Sequence, residues 1–130
     1  LMSLIAERVD KKDLVKMKEI KAFVRPNRLP DIVNHLRQEG ICCLTVFEGE
    51  GTGHYTDERK DFPSLRHPFS HAKIAKLEVV LPDKEVKTAL EIIHQNGKTA
   101  HSGDGIIYIT EVSEMVKVKS LEPDLENRDL

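Results

Sequence analysis

Residues 75–97 read AKLEVVLPDKEVKTALEIIHQNG, and within them the apolar period changes once. Ala75, Leu77, Val79 and Leu81 alternate with Lys76, Glu78 and Val80, the pattern of a strand with one buried face. Past Pro82, Val86, Ala89, Leu90 and Ile93 fall on one stripe of a helix, which Asp83 is placed to cap and Asn96-Gly97 to end. The same unit occurs upstream. Ile20, Ala22 and Val24 alternate with Glu19, Lys21 and Phe23 as far as Arg25-Pro26. Leu29, Ile32, Val33 and Leu36 then make a helical stripe that Gly40 stops, before a β-forming run from Cys42 to Glu48. Downstream, Ile106 to Val112 predicts a fourth strand and Val116–Lys119 a short further one. The order β-α-β-loop-β-α-β predicts an α+β fold, a ferredoxin-like βαββαβ sandwich with both helices on one sheet face. The opposite face would present Phe23, Thr45, Ile74, Val80 and Tyr108, and so much apolar surface predicts a symmetric oligomer.

The chain has 130 residues and a formal net charge of −2. That length suits one domain with a real core, and the charge predicts no general attraction to nucleic acid or anionic membrane. No apolar run is long enough to cross a bilayer, and residues 1–16 do not read as a secretory leader. They read instead as an N-terminal extension to a domain at 17–122, with 123–130 a flexible, acidic tail. Cys42 and Cys43 are adjacent on a strand and would point to opposite faces, which fits a reduced, cytoplasmic setting. Buried strand thiols are usually inert packing residues.

Gly103-Asp104-Gly105 precedes the apolar run Ile106-Ile107-Tyr108-Ile109. Two glycines around an aspartate can expose backbone N–H groups to a phosphate, although such a tripeptide is often only a loop. Lys117 and Lys119 alternate with Val116 and Val118, which would place both ammonium groups on one side of the short strand. Residues 49–72 break every periodic pattern, and a loop of that length in a small domain usually has a function.

These pieces in this order resemble the P-II nitrogen-regulatory signal-transduction proteins. The resemblance rests on the strand ending at Pro26, the Gly40 stop before Leu44-Thr45-Val46-x-Glu48, the long loop, Lys76-Leu77-Glu78-Val79-Val80, and Gly103-Asp104-Gly105. It implies a homotrimer that binds ATP or ADP, with Mg²⁺, in clefts between subunits. Residues 49–72 would correspond to the T-loop that docks on a transporter, enzyme or regulator. Gly103, Asp104 and Gly105 would wrap the phosphates, and Lys117 and Lys119 stand where the family has two arginines. Lysine keeps the charge but loses the bidentate fork. Thr45, Gly51, Glu78 and Val80 fall at the adenine pocket, and Gly53 at the loop base. The departures are as informative. Ile106 replaces the lysine after the turn, Tyr55 the glutamine that helps hold Mg²⁺ and 2-oxoglutarate, and Ile74 the lysine for the 2-oxoglutarate carboxylate. Lys73 is one residue away, and a one-residue shift reverses strand facing. 2-Oxoglutarate sensing is therefore not expected. Neither is uridylylation, because His67 stands where the modified tyrosine would fall.

No nucleophile with a base, Walker-type loop or carboxylate pair is present, so the chain is not expected to be an enzyme. An acylphosphatase lacks its arginine-bearing loop here, and an RNA-recognition module lacks its aromatic pair. The remaining alternative is a metal-responsive trimer of the divalent-cation-tolerance type, with His54, His67 and His71 as candidate ligands. His67 and His71 are four apart, but Pro68 argues against a helix between them, and loop histidines are usually just solvated.

Overall fold

The computed structural model describes residues 16–41, 43–53, 56, 59, 61–100 and 103–127. The extension before Lys16 lies outside the described residues, as do Cys42, His54 and Tyr55. Strand β1 (Met17–Val24) leads through a 3₁₀ turn at Pro26–Arg28 into helix α1 (Leu29–Gln38). Strands β2 (Thr45–Gly51) and β3 (Ala72–Pro82) flank the long loop, and helix α2 (Asp83–Gly97) and strand β4 (Gly105–Val112) follow. The sheet order is β2-β3-β1-β4 with every pairing antiparallel, which is the ferredoxin-like topology.

Period-2 burial builds the core. Ile20, Ala22 and Val24 of β1 and Ala75, Leu77, Val79 and Leu81 of β3 are buried against Ile32, Leu36, Ala89 and Ile93 of the helices. Helix α1 ends as the glycine pattern predicts. Gly40 has φ +83°, its N–H donates to the Arg37 carbonyl at 3.0 Å, and that of Ile41 to the Leu36 carbonyl at 2.9 Å. This pair of bonds is a Schellman closure. The guanidinium Nε of Arg28 donates to the Asn96 carbonyl at 2.7 Å and ties the start of α1 to the end of α2.

On the open sheet face, β1 presents Glu19, Lys21 and Phe23, β3 presents Ile74, Lys76, Glu78 and Val80, and β4 presents Ile106, Tyr108 and Thr110. The Phe23 and Tyr108 rings meet edge-on with centroids 5.5 Å apart. Phe47, Ile106 and Tyr108 are each about half exposed.

Several boundaries differ from the sequence reading. Strand β2 runs on past Glu48 to Gly51 and β3 begins at Ala72, not Ala75, so the two ends of the 49–72 stretch belong to the sheet. Strand β2 starts at Thr45, not Cys42, because the Asn127 amide donates to both the Cys43 carbonyl (2.9 Å) and the Val80 carbonyl (2.7 Å). In the β2–β3 register those two residues would face each other, so the amide wedges the ladder open there. The tail is accordingly held rather than flexible over 123–127. Asp124 is buried, and its carboxylate accepts the N–H groups of Glu126 and Asn127. Residues 116–119 form no strand. The Lys117 N–H donates to the Glu122 carbonyl, Leu121 takes φ +58°, and only a bridge between Val116 and Pro123 remains. Finally, the Asp83 side chain makes no capping bond. It is the first helical residue, its N–H extends the ladder to the Lys16 carbonyl, and its carboxylate pairs with Lys18 at 3.0 Å.

Candidate functional site

The turn before β4 is built on left-handed backbone that favours glycine. Gly103 has φ +77° and Gly105 φ +117°. A Cβ on Gly105 would lie 1.7 Å from the Phe23 carbonyl oxygen, so the turn approaches β1 as closely as two backbones can. Between the glycines, the Asp104 carboxylate accepts the Thr99 N–H at 2.6 Å and the Thr99 hydroxyl, and it pairs with Arg25 Nε at 3.3 Å. The two Thr99 bonds, and then Arg25, hold its carboxyl below the ordinary value of 3.8. The side chain thus faces its own loop and the end of β1. What the turn offers a ligand is backbone.

Beside the turn lies a cleft of about 660 Å³, lined by Phe23, Ile74, Ile106 and Tyr108 together with Gly103–Gly105. A second cleft of about 360 Å³ shares the turn and Ile74 and adds Arg25, Asn27 and Lys73. With Ile106 in place of a cation, Arg25 and Lys73 are the basic residues lining these clefts, and Arg25 is engaged by Asp104.

The ten candidate binding residues fall into two groups. Gly51 pairs with Ala72, next to the cleft-lining Lys73 and Ile74, so Gly51 and Gly53 lie at the same end of the sheet as Gly103–Gly105. Thr45, Glu78 and Val80 occupy the other half. Val80 faces Glu19, whereas the turn faces Val24. Five strand residues separate those rows, about 17 Å. Glu78 is satisfied within its own strand by Lys76 at 3.0 Å, and Lys76 also lies 4.6 Å over the Phe47 ring. Lys117 and Lys119 follow β4 beyond Val112, which pairs with Met17 at the far end. One chain therefore does not bring these lysines to the Gly-Asp-Gly turn, and they do not share a strand face.

The structure does bring His67 and His71 together, with ring centroids 5.3 Å apart. Among the described residues no three His, Cys, Asp or Glu side chains already stand in coordinating geometry. No helix among them is long and apolar enough to cross a membrane.

The family model described as "Nitrogen regulatory protein P-II" matches residues 17–122, the span of every strand and helix above. The chain belongs to the P-II family. It is 32% identical over 106 residues to the nitrogen regulatory protein P-II of Azospirillum brasilense, covering 82% of this chain and 95% of that protein. It is 29% identical over 108 residues to nitrogen regulatory protein P-II 1 of Escherichia coli, covering 83% and 96%. A crystal structure of Arabidopsis thaliana PII bound to citrate superposes with a TM-score of 0.68 at 26% identity, over 85% of this chain and 90% of that one. P-II membership favours the nitrogen-regulatory reading over the divalent-cation-tolerance one. Two residues around the turn escaped the sequence reading, Thr99 and Arg25, and Lys73, which that reading set aside for its strand facing, lines the second cleft. Arg25 and Asp104 lie 79 positions apart, and no periodic pattern links them.

Proposed function

We propose that this P-II protein is a cytoplasmic, non-catalytic signalling protein. It forms a homotrimer, binds ATP or ADP with Mg²⁺ in the clefts between subunits, and controls a transporter or enzyme through residues 49–72. The observation that carries this reading is the Gly103–Gly105 turn, whose backbone is held open beside a cleft while its matching cations, Lys117 and Lys119, lie at the other end of the sheet. A second subunit supplies what one chain lacks: the turn of one protomer faces the lysines, Thr45, Glu78 and Val80 of the next. The half-exposed Phe47, Ile106 and Tyr108 are the surface such an assembly would cover. The citrate in the Arabidopsis PII structure supports small-anion binding by this fold.

Signalling follows from where the loop attaches. It leaves β2 after Gly51 and re-enters β3 at Ala72, one residue before Lys73 and two before Ile74, which line the clefts beside the turn. A phosphate chain on Gly103–Gly105 therefore presses against the strand that carries the loop's return. Occupancy shifts the loop between conformations that a partner reads. With Ile74 and Ile106 in the cleft, 2-oxoglutarate is not a ligand in this reading.

Calorimetric titration of the full chain with ATP, ADP and AMP, alongside sedimentation for the assembly state, tests it. Saturable binding near one nucleotide per chain, in a trimer, is expected. Lys117→Ala with Lys119→Ala should weaken it by about a hundredfold, two charge-assisted contacts at about 1.4 kcal/mol each. A monomer, or no binding of any nucleotide, would overturn the proposal.

A further inference from the structure

We propose that Asn127 is a latch on the nucleotide site: by clamping the tail to the sheet it holds Lys117 and Lys119 where the phosphates are bound, and so sets the affinity for ATP and ADP from beyond the family-matched span. The inference rests on the nucleotide reading above, and the role is one of positioning. The two lysines lie on a closed loop over residues 115–124. The Asp124 N–H donates to the Met115 carbonyl, the Lys117 N–H to the Glu122 carbonyl and the Leu121 N–H to the Lys117 carbonyl, each at 2.9 Å, and Val116 bridges to Pro123. Leu121, at φ +58°, turns the tip. Such bonds give the loop a shape but not a place. Its near end continues from β4 at Val112, and its far end needs an anchor of its own.

Asn127 is that anchor. An asparagine amide has two N–H groups, and here both donate to sheet backbone, to the Cys43 carbonyl at 2.9 Å and the Val80 carbonyl at 2.7 Å. The residue stands at φ +54°, a left-handed conformation that asparagine tolerates better than most side chains. The buried Asp124 carboxylate sets that conformation by accepting the N–H groups of Asn127 at 2.8 Å and Glu126 at 3.2 Å. The fit is close, because the recess between Ile41, Cys43, Leu81 and Asn127 is only about 20 Å³, far below what a ligand needs. The latch therefore closes on protein alone. Its two acceptors connect it to the site. Val80 is itself a candidate adenine residue, and Thr45 lies two positions past Cys43 on the strand that begins there. One amide thus joins the lysine loop to both strands that carry the adenine side, and adenine wall and phosphate cations move as one body. With the latch open, the loop hangs from β4 and two long side chains must be ordered when the nucleotide arrives. Apparent affinity then falls by the fraction of molecules in which the latch is closed.

The test is a double-mutant cycle on the full chain, with ADP and AMP titrated by calorimetry. Asn127→Ala should weaken ADP by about tenfold, the factor for a latch closed a tenth of the time. AMP should lose much less, because the lysines answer the charge that ADP adds, whereas general unfolding would weaken both alike. Asn127→Asp keeps the size and the left-handed tolerance but cannot donate to a carbonyl, so it should lose as much ADP affinity as the alanine variant. With Lys117→Ala and Lys119→Ala already in place, Asn127→Ala should weaken ADP no further, since there is nothing left to position. A readout that needs no nucleotide is trypsin digestion followed by mass spectrometry, in which cleavage after Lys117 and Lys119 should be faster in Asn127→Ala than in the unaltered protein. Unchanged ADP affinity in Asn127→Ala, where the lysine variant does lose it, would overturn the latch and leave the nucleotide reading standing. An equal further loss in the lysine-free background would also overturn it, by assigning the effect to stability alone. No nucleotide binding by the unaltered chain would overturn both.

Discussion

At the Val24–Gly105 end of the sheet the chain is held by a charged carboxylate and a glycine that nothing else can replace. At the Met17–Val112 end the tail, its turn closed by the Asp124 carboxylate, reaches the sheet through the single amide of Asn127. The first closure, Arg25–Asp104–Thr99 with Gly105, lies inside the family-matched span and beside the ligand cleft. The second, Asn127 bridging Cys43 and Val80, lies beyond residue 122 and borders no large cleft. A site that must present backbone to an anion needs its turn fixed without using up the N–H groups it offers. Asp104 does this by spending its side chain on Thr99 and Arg25. The tail end has no such constraint and is closed by ordinary hydrogen bonds.

Breaking the rigid end should cost most. Gly105→Ala puts a methyl where the Phe23 carbonyl oxygen already stands and forces alanine to φ +117°. Since β4 must move off β1, the loss should be about 3 kcal/mol or more. In thermal denaturation followed by circular dichroism this corresponds to a fall of about 10 °C in Tm. An unchanged Tm would mean that the close approach is not a feature of the folded protein.

Asp104→Asn sharpens the comparison by removing the charge and keeping the shape. A carboxyl whose pKa is lowered on folding contributes stability above its unfolded value of about 3.8, and that contribution is lost as pH falls through the folded value. The variant should therefore be less stable than the unaltered protein at pH 7, by about 2 kcal/mol for charge-assisted bonds to Thr99 and Arg25. The gap should close on acidification below pH of about 4. A gap that persists in acid would assign the effect to packing.

The same contrast explains what could be read from the sequence. Strands β1 and β3 and both helices were legible because each buries one face, and burial writes a period into the residues, whereas β4, which is mostly exposed, was legible as the apolar run Ile106–Ile109. The Gly103–Gly105 turn and the Gly40 stop were legible because positive φ selects glycine. The start of β2 was not, since what ends its ladder is the amide of Asn127, more than eighty positions away. The expected strand at 116–119 failed because Leu121 turns left-handed, a conformation the valine–lysine alternation gives no sign of. The histidine pair was visible only as a spacing. Glu50 lies 3.8 Å from His71 because the β2–β3 register brings the two ends of the loop together, which no local pattern reports.

At the tail end, Asn127→Ala removes two hydrogen bonds to backbone carbonyls that would otherwise face each other. About 1–2 kcal/mol is expected, less than at the turn because water can reach the exposed edge of the wedge. Hydrogen exchange locates the effect. Amides near Cys43 and Asp124 should exchange faster while those near Asp104 keep their protection, and faster exchange at both ends would mean the two closures are coupled.

The smallest effect separates two roles for one aspartate. Were Asp83 the cap of α2, its replacement by alanine would cost about 1 kcal/mol. It instead sits inside the first turn, paired with Lys18 and 52% exposed. Exposed pairs of this kind contribute only a few tenths of a kcal/mol, about 0.3, and salt screens them. Asp83→Ala should therefore change stability by little at low salt and by nothing measurable at 1 M sodium chloride. The helix-capping role would be restored only by a loss that survives high salt, because a capping hydrogen bond is short-ranged and screening does not remove it.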